Sequence, residues 1–296
     1  MSSKSQPNVG LIESGLLDAE NLQNSFASYI MQGAFRYAYE KKLEIAVYMF
    51  DSMDQRYKSF TQFCRAHKLS GVVISGMRSD ESSLDELIES RLPTVTIDIP
   101  VHCKGTGWVS VNNERATYEM AQYLFGLGHR NIAVINGQTN AAVCDMRLAG
   151  VKRAFAEAGI VFCGSNNLYA DFQEETAYQV TREFLPLGKN SGCTAFLCFS
   201  DSMALGVMRA VQDAGYTIPG DFSVTGFDGL PISAYTSPTL TTVYQDMSQM
   251  AYGAVSFLHD MLRGETTGGC RVFPYKIEKR GSSSPPLVPL FKTIDK

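Results

Sequence analysis

The sequence predicts an α/β protein built from two doubly wound, mostly parallel sheets. Three observations lead there. At 296 residues the chain is longer than a single hydrophobic core usually organises. A hydrophobic content of 45% against 19% charged residues supplies enough apolar side chains for two cores. Short apolar runs alternate with helical periodicity in two series of similar length, and strands joined through helices of this size need right-handed crossovers between parallel neighbours.

The first series opens at residues 8–13 (NVGLIE), a buried strand, with a polar loop over 14–24. Ile30, Ala34, Tyr37 and Ala38 recur at i, i+4, i+7 and i+8, which places one apolar stripe on a helix. Residues 45–50 read as a second strand, 54–67 as a helix with Tyr57, Phe60 and Cys64 on one face, and 71–75 (GVVIS) as a third strand. A short helix over 84–88 and a break at Pro93 precede a fourth strand, 94–97.

Residues 108–111 are extended, and a second series follows them. The helix from Glu114 gathers Ala116, Met120, Tyr123 and Leu124 and stops at Gly126-Leu127-Gly128, where glycine accepts the left-handed cap. Strand 131–135 leads to a loop over 136–145, then to a helix with Val151, Ala154, Phe155 and Ala158 inward and Gly159 closing it. Another helix follows Asp171; then come strand 195–199, helix 203–214 and strand 223–225.

After the second series lie strand 241–244 and a helix over 248–263 with Met250, Ala254, Phe257, Leu258 and Met261 on one face. If that helix packs back on the first lobe, the chain passes between lobes near 111, 245 and 270. The expected division is therefore 8–111 with 246–270 for an N-terminal lobe and 112–245 with 271–290 for a C-terminal lobe. Residues 1–7 are a linker remnant and 291–296 a tail. Ligands of open α/β sheets lie beyond the carboxyl ends of the strands, so two facing lobes are expected to close on a small molecule by a hinge motion.

Composition narrows the function. The net charge is -4 and the pI about 5.6, and the densest basic patches are the doublets Lys41-Lys42 and Lys279-Arg280, so a basic nucleic-acid face is not expected on this chain. Seven cysteines, an odd number without CxxC spacing or a His/Cys cluster, read as reduced thiols in a cytoplasmic protein with no metal. The first residues, MSSKSQPN, lack the apolar core of a signal peptide, and no run is long enough to span a membrane.

The chain has no G-x-S-x-G, GxxxxGK[ST], H-E-x-x-H or GxGxxG signature, and no catalytic residue or cofactor is expected. His129, between a helix-ending glycine and a strand, is read as structural. What remains are polar residues at strand ends: Asp98 after TVTI, Arg147 at the start of the helix after NGQTNAAVCD, Ser200 and Asp201 after AFLCF, and Asp228 after SVTGF. A guanidinium fork with carboxylates that accept hydroxyl hydrogen bonds suits a polyhydroxylated ligand. Phe172 and Trp108 are aromatics able to stack on a sugar ring or to serve the core. An Asp directly after a strand is often an N-cap, which is the reading for Asp201. Asp228 has no helix directly after it and is read as a ligand contact. On pattern alone Arg147 is open between surface ion pair and ligand clamp.

These residues carry a resemblance. NVGLIE, WVSVNNERATYEMAQYLFGLGHRNIAVING, RLAGVKRAFAEAGI, SDSMALGVMRAVQDAGYTIPGDFSVTGFDGLPISAYTSPTLTTVYQD and VFPYKIEKRGS occur in order across nearly the whole chain. The chain resembles the effector-binding core of the LacI/GalR family of bacterial transcriptional regulators, which has a type I periplasmic-binding-protein-like fold. The resemblance implies a cytoplasmic homodimer that binds a sugar, polyol or related metabolite and couples it to operator DNA through an N-terminal helix-turn-helix domain, here missing.

Residue by residue, the resemblance implies that Arg147 clamps the ligand and Asp228 binds its hydroxyls. Phe172 stands where the family often has an aromatic, and Asp98 where it often has an aspartate. Ser200 replaces a usual asparagine, Gly229 a second aspartate and Ile99 a common arginine, which points to an effector with fewer hydroxyls than a typical sugar. Tyr29, Tyr37 and Met77, at the edges of first-lobe elements, are candidates for the dimer face, with core packing the stronger reading of each. The alternative is a sugar-binding protein of a transport system, which needs an export signal.

Overall fold

A computed structural model describes residues 8–14, 26–50, 59–76 and 82–287. The loop at 15–24, Tyr57, Met77, the linker 1–7 and the tail 291–296 lie outside the described residues. In chain order the elements are β1 (Asn8–Ser14), α1 (Phe26–Lys41), β2 (Glu44–Phe50), α2 (Phe60–Ala66), β3 (Gly71–Ser75), α3 (Ser82–Glu89), β4 (Thr94–Ile97) and β5 (Thr106–Val111). They continue with α4 (Asn113–Gly126), β6 (Ile132–Asn136), α5 (Ala142–Glu157), β7 (Asn167–Tyr169), α6 (Glu174–Asn190), β8 (Ala195–Cys198), α7 (Asp201–Asp213) and β9 (Ser223–Asp228). The last are β10 (Thr241–Gln245), α8 (Met247–Leu262), β11 (Gly269–Phe273) and β12 (Tyr275–Glu278).

Two six-stranded sheets result, ordered β11-β5-β4-β3-β1-β2 and β12-β10-β9-β8-β6-β7. The chain falls into two compact units: residues up to 113 with 140–146 and 245–275, and residues 114–139 with 147–244 and those from 276 on.

In the first unit β1 runs parallel to both β2 and β3. Successive side chains of a strand face opposite sides of the sheet. Ile12, Val72 and Ile74 therefore join Phe60, Cys64, Leu84 and Leu87 in one apolar layer with α2 and α3. The other side of the sheet meets α8, whose Met250, Ala254, Phe257 and Leu258 are all buried as the periodicity predicts. Glu13 departs from this pattern. It is 2% exposed and stands in register with Ser75, which is also buried.

The second unit is organised around aromatic side chains. Phe196, Phe199, Phe222 and Phe227 are fully buried, and Phe196 packs on Phe222 with ring centroids 5.4 Å apart. His129 is buried here as a structural residue: its ring nitrogens meet Thr194 Oγ1 at 2.8 Å and the Ser284 carbonyl at 2.9 Å. Burial lowers its pKa and favours the neutral imidazole.

Several sequence expectations shift. β11 pairs with β5 along its whole length, from Gly269 with Gly107 to Phe273 with Val111, so residues 271–275 belong with the first unit and not the second. α5 starts at Ala142, because Cys144 and Asp145 N–H both donate to the Ala141 carbonyl; Arg147 is one turn inside the helix. β9 extends to Asp228, beyond the expected end at Thr225. The three-residue edge strand β7 was not expected, since NLY carries no alternation to mark it. Tyr37 is 4% exposed and its hydroxyl meets His259 Nδ1 at 2.9 Å, which makes it core and not a dimer contact.

Candidate functional site

The carboxyl ends of β8 and β9 set the site of the second unit. β8 and β9 pair from Ala195 with Ser223 to Leu197 with Thr225, which brings the residues after Cys198 beside the end of β9. Arg147 enters from α5 and is 3% exposed. Its guanidinium donates to the Phe199 carbonyl and stacks on the Phe227 ring, 3.6 Å from the centroid. A cation over an aromatic face is held electrostatically as well as by packing. The choice left open by the sequence is decided against a plain surface ion pair.

Asp228 follows Phe227 directly and is 7% exposed. Its φ of +117° and the +70° of Gly229 turn the backbone sharply at the strand end. A Cβ at Gly229 would come within 2.6 Å of the Tyr244 side chain, so this turn has no room for the second carboxylate that the resemblance suggests. Asp98 and Phe172 also have positive φ, +61° and +59°. Three of the five expected site residues thus occupy a backbone region that L-residues rarely adopt, a kind of strain that clusters at binding sites.

Ser200 is the N-cap of α7: its Oγ accepts from the Met203 N–H at 3.1 Å. The capping role expected of Asp201 therefore belongs to its neighbour. Asp201 is completely buried instead, accepting from the Leu230 N–H at 2.7 Å and lying 2.5 Å from Thr242 Oγ1. Burial raises its pKa well above the carboxylate range, and the charge of Asp228 raises it further. Its place in the SDSM run marks a strand-to-helix junction, but nothing in the sequence shows that its side chain turns back beneath the β9 turn.

Phe172 is half-buried, and its ring lies over Gly137, where a Cβ would approach it to 2.3 Å. Gly137 in turn donates its N–H to Asn136 Oδ1 at 2.8 Å. These contacts fix the aromatic ring beyond the end of β6.

The first unit holds Asp98 at the end of β4, 8% exposed. It accepts from the Ser110 hydroxyl and from Asn113 Nδ2 at 3.3 Å, and Asn113 also donates to Ser110 at 2.9 Å. Ser110 and Asn113 were not singled out from the sequence; their SVNN context after an extended run was the available signal. Trp108 is half-buried in β5, edge-on to His102 with 6.3 Å between ring centroids. Among the described residues no cluster of three His, Cys, Asp or Glu is placed to hold a metal ion, and no helix is long and apolar enough to cross a membrane.

Comparison with known proteins agrees with this architecture. Residues 121–283 match the family of periplasmic binding protein-like domains. The HTH-type transcriptional repressor PurR of Aliivibrio fischeri is 28% identical over 241 residues, spanning 81% of this chain and 72% of PurR. The crystal structure of a putative LacI transcriptional regulator from Bacillus cereus subsp. cytotoxis superposes with a TM-score of 0.87 at 28% identity, covering 95% of this chain and 99% of that one. A CelR transcriptional regulator–cellobiose complex shares the fold, with a TM-score of 0.83 at 23% identity over 94% of this chain and 85% of that one. The relatives are transcriptional regulators and not enzymes or transport components, and the chain belongs to the periplasmic binding protein-like domain family as the effector-binding core of a LacI-type regulator.

Proposed function

We propose that this core senses a small hydroxylated or heterocyclic metabolite, a sugar, polyol or nucleobase, at the carboxyl ends of its strands. In the second unit its candidate contacts are Arg147, Phe172, Ser200 and Asp228; in the first unit, taken by itself, the candidate contact residue is Asp98. The observation that carries this reading is Arg147, buried yet stacked on Phe227 next to Asp228. A guanidinium fixed on the Phe227 ring, with a carboxylate at the next position of β9, supplies donors and acceptors to the same strand end, with little side-chain freedom left to lose on binding. The CelR relative is a cellobiose complex, and the PurR relative is a helix-turn-helix repressor. By analogy, effector binding alters the affinity of a coupled helix-turn-helix domain for operator DNA, in a cytoplasmic homodimer.

The test is a thermal-shift screen against sugars, sugar phosphates, polyols and nucleobases. A compound that stabilises the parent protein should fail to stabilise Arg147→Ala and Asp228→Ala, both of which should still fold. Undiminished ligand response in both variants would sink the site assignment.

A further inference from the structure

The strained turn that presents Asp228 rests on a group to which the effector reading gives no role. Asp201 Oδ2 accepts from the Leu230 N–H at 2.7 Å, two residues beyond Asp228. Oδ1 lies 2.5 Å from Thr242 Oγ1 on β10, the strand paired with β9. It also lies 2.2 Å from where a Cβ on Gly226 would stand, so a side chain at 226 would displace the carboxyl group. Asp201 thus contacts β9, β10 and the turn at the same time, from a position without solvent.

We propose that Asp201 is a positioning residue for Asp228, fixing the 228–230 turn from below as an acceptor from Leu230 and a donor to Thr242. The donor role is consistent with the surroundings. Burial and the charge of Asp228 on β9 favour the neutral acid, and they outweigh the hydrogen bonds from Thr242 and Leu230 and the charge of Arg280 after β12, which favour the carboxylate; Cys198 of β8 is buried in the same surroundings. To an ionised carboxylate Thr242 Oγ1 is the donor; with the carboxyl group protonated, the same 2.5 Å contact runs from Asp201 to Thr242, whose own hydroxyl is then free to donate to the Val243 carbonyl at 3.4 Å. Two carboxylates side by side in a buried site cannot both ionise cheaply, which favours the neutral acid at the fully buried Asp201.

The inference rests on Asp228 being a site residue, but its test needs no effector. Asp201→Asn mimics the neutral acid: its amide oxygen can accept from Leu230 and its NH2 can donate to Thr242. The experiment follows two signals in the intact chain, hydrogen-exchange protection of the Leu230 amide and the carboxyl ¹³C shift of Asp228 in ¹³C-aspartate-labelled protein. At neutral pH both should be unchanged in Asp201→Asn, and both should be lost or moved in Asp201→Ala. If Asp201→Ala does not fold, Thr242→Val, which removes the acceptor of the acid proton, should lower Leu230 protection. In the parent protein the Asp201 carbon should keep the shift of a protonated acid at pH 7. A carboxylate shift for Asp201 at pH 7, or loss of Leu230 protection in Asp201→Asn, would overturn the proposal and leave the effector reading intact. An unaltered Asp228 shift in a folded Asp201→Ala would do the same.

Discussion

Glu13 has no described cationic partner acting on it, and burial pushes its carboxyl pKa from 4.5 up to about 8. The nearby Ser75 hydroxyl favours the ionised form, but Glu13 Oε1 and Ser75 Oγ make no well-formed hydrogen bond among the described residues, so desolvation dominates. A folded-state pKa raised in this way gives stability that is complete below about pH 4.5 and is lost as pH rises toward 8. The span corresponds to roughly 5 kcal/mol at most. Urea midpoints across pH 4.5–9 should fall with rising pH in the parent protein, and Glu13→Gln should flatten the profile. A parent profile without this fall would show that Glu13 titrates normally. Residue-level roles were only partly legible in the sequence. Asp228 and Arg147 stood out because they follow strand and loop signals, but the stacking of Arg147 on Phe227 joins positions eighty apart in sequence. Ser200 and Asp201 are neighbours whose capping and buried roles differ by side-chain direction, which composition and spacing do not encode.

Elements were more legible because their signal is local. GVVIS and TVTI are runs buried at every position, and both were found with their exact ends. The errors occurred where tertiary contacts set the boundary. β9 continues through Gly226 and Phe227 to Asp228 because β10 pairs with it as far as Tyr244 opposite Asp228. Close helix contacts were equally silent in the sequence. A Cβ on Gly33 of α1 would stand 1.9 Å from the Ser248 carbonyl of α8, and one on Gly206 of α7 would stand 2.1 Å from the Glu174 carbonyl of α6. The atoms met are backbone and cannot rotate away. Gly33→Ala and Gly206→Ala should therefore each force helices apart and cost about 1–3 kcal/mol, read as a lower chemical-denaturation midpoint. Alanine tolerated at both positions, with unchanged midpoints, would contradict this packing.

At the scale of the whole molecule, the two-sheet division was readable from two strand-helix series, because each series carries its own local apolar periodicity. An effector that binds only the folded protein should stabilise it by about 2.7 kcal/mol at a hundredfold excess over its dissociation constant. Denaturation with increasing amounts of a compound found in the screen measures this directly. Sedimentation at micromolar concentration should give a dimer, and a monomer there would remove the homodimer from the proposed function.

The end of the chain has a further consequence for truncation. β11 and β12 are separated by Pro274 alone, yet one is the outer strand of the first sheet and the other the outer strand of the second. A stop at residue 269 would strip an edge from both sheets at once and expose β5 in one and β10 in the other. Neither unit is a continuous piece of chain that one cut could release. C-terminal trimming toward Gly269 is therefore expected to weaken both units together, and a protease that nicks this segment would report on the integrity of the whole core.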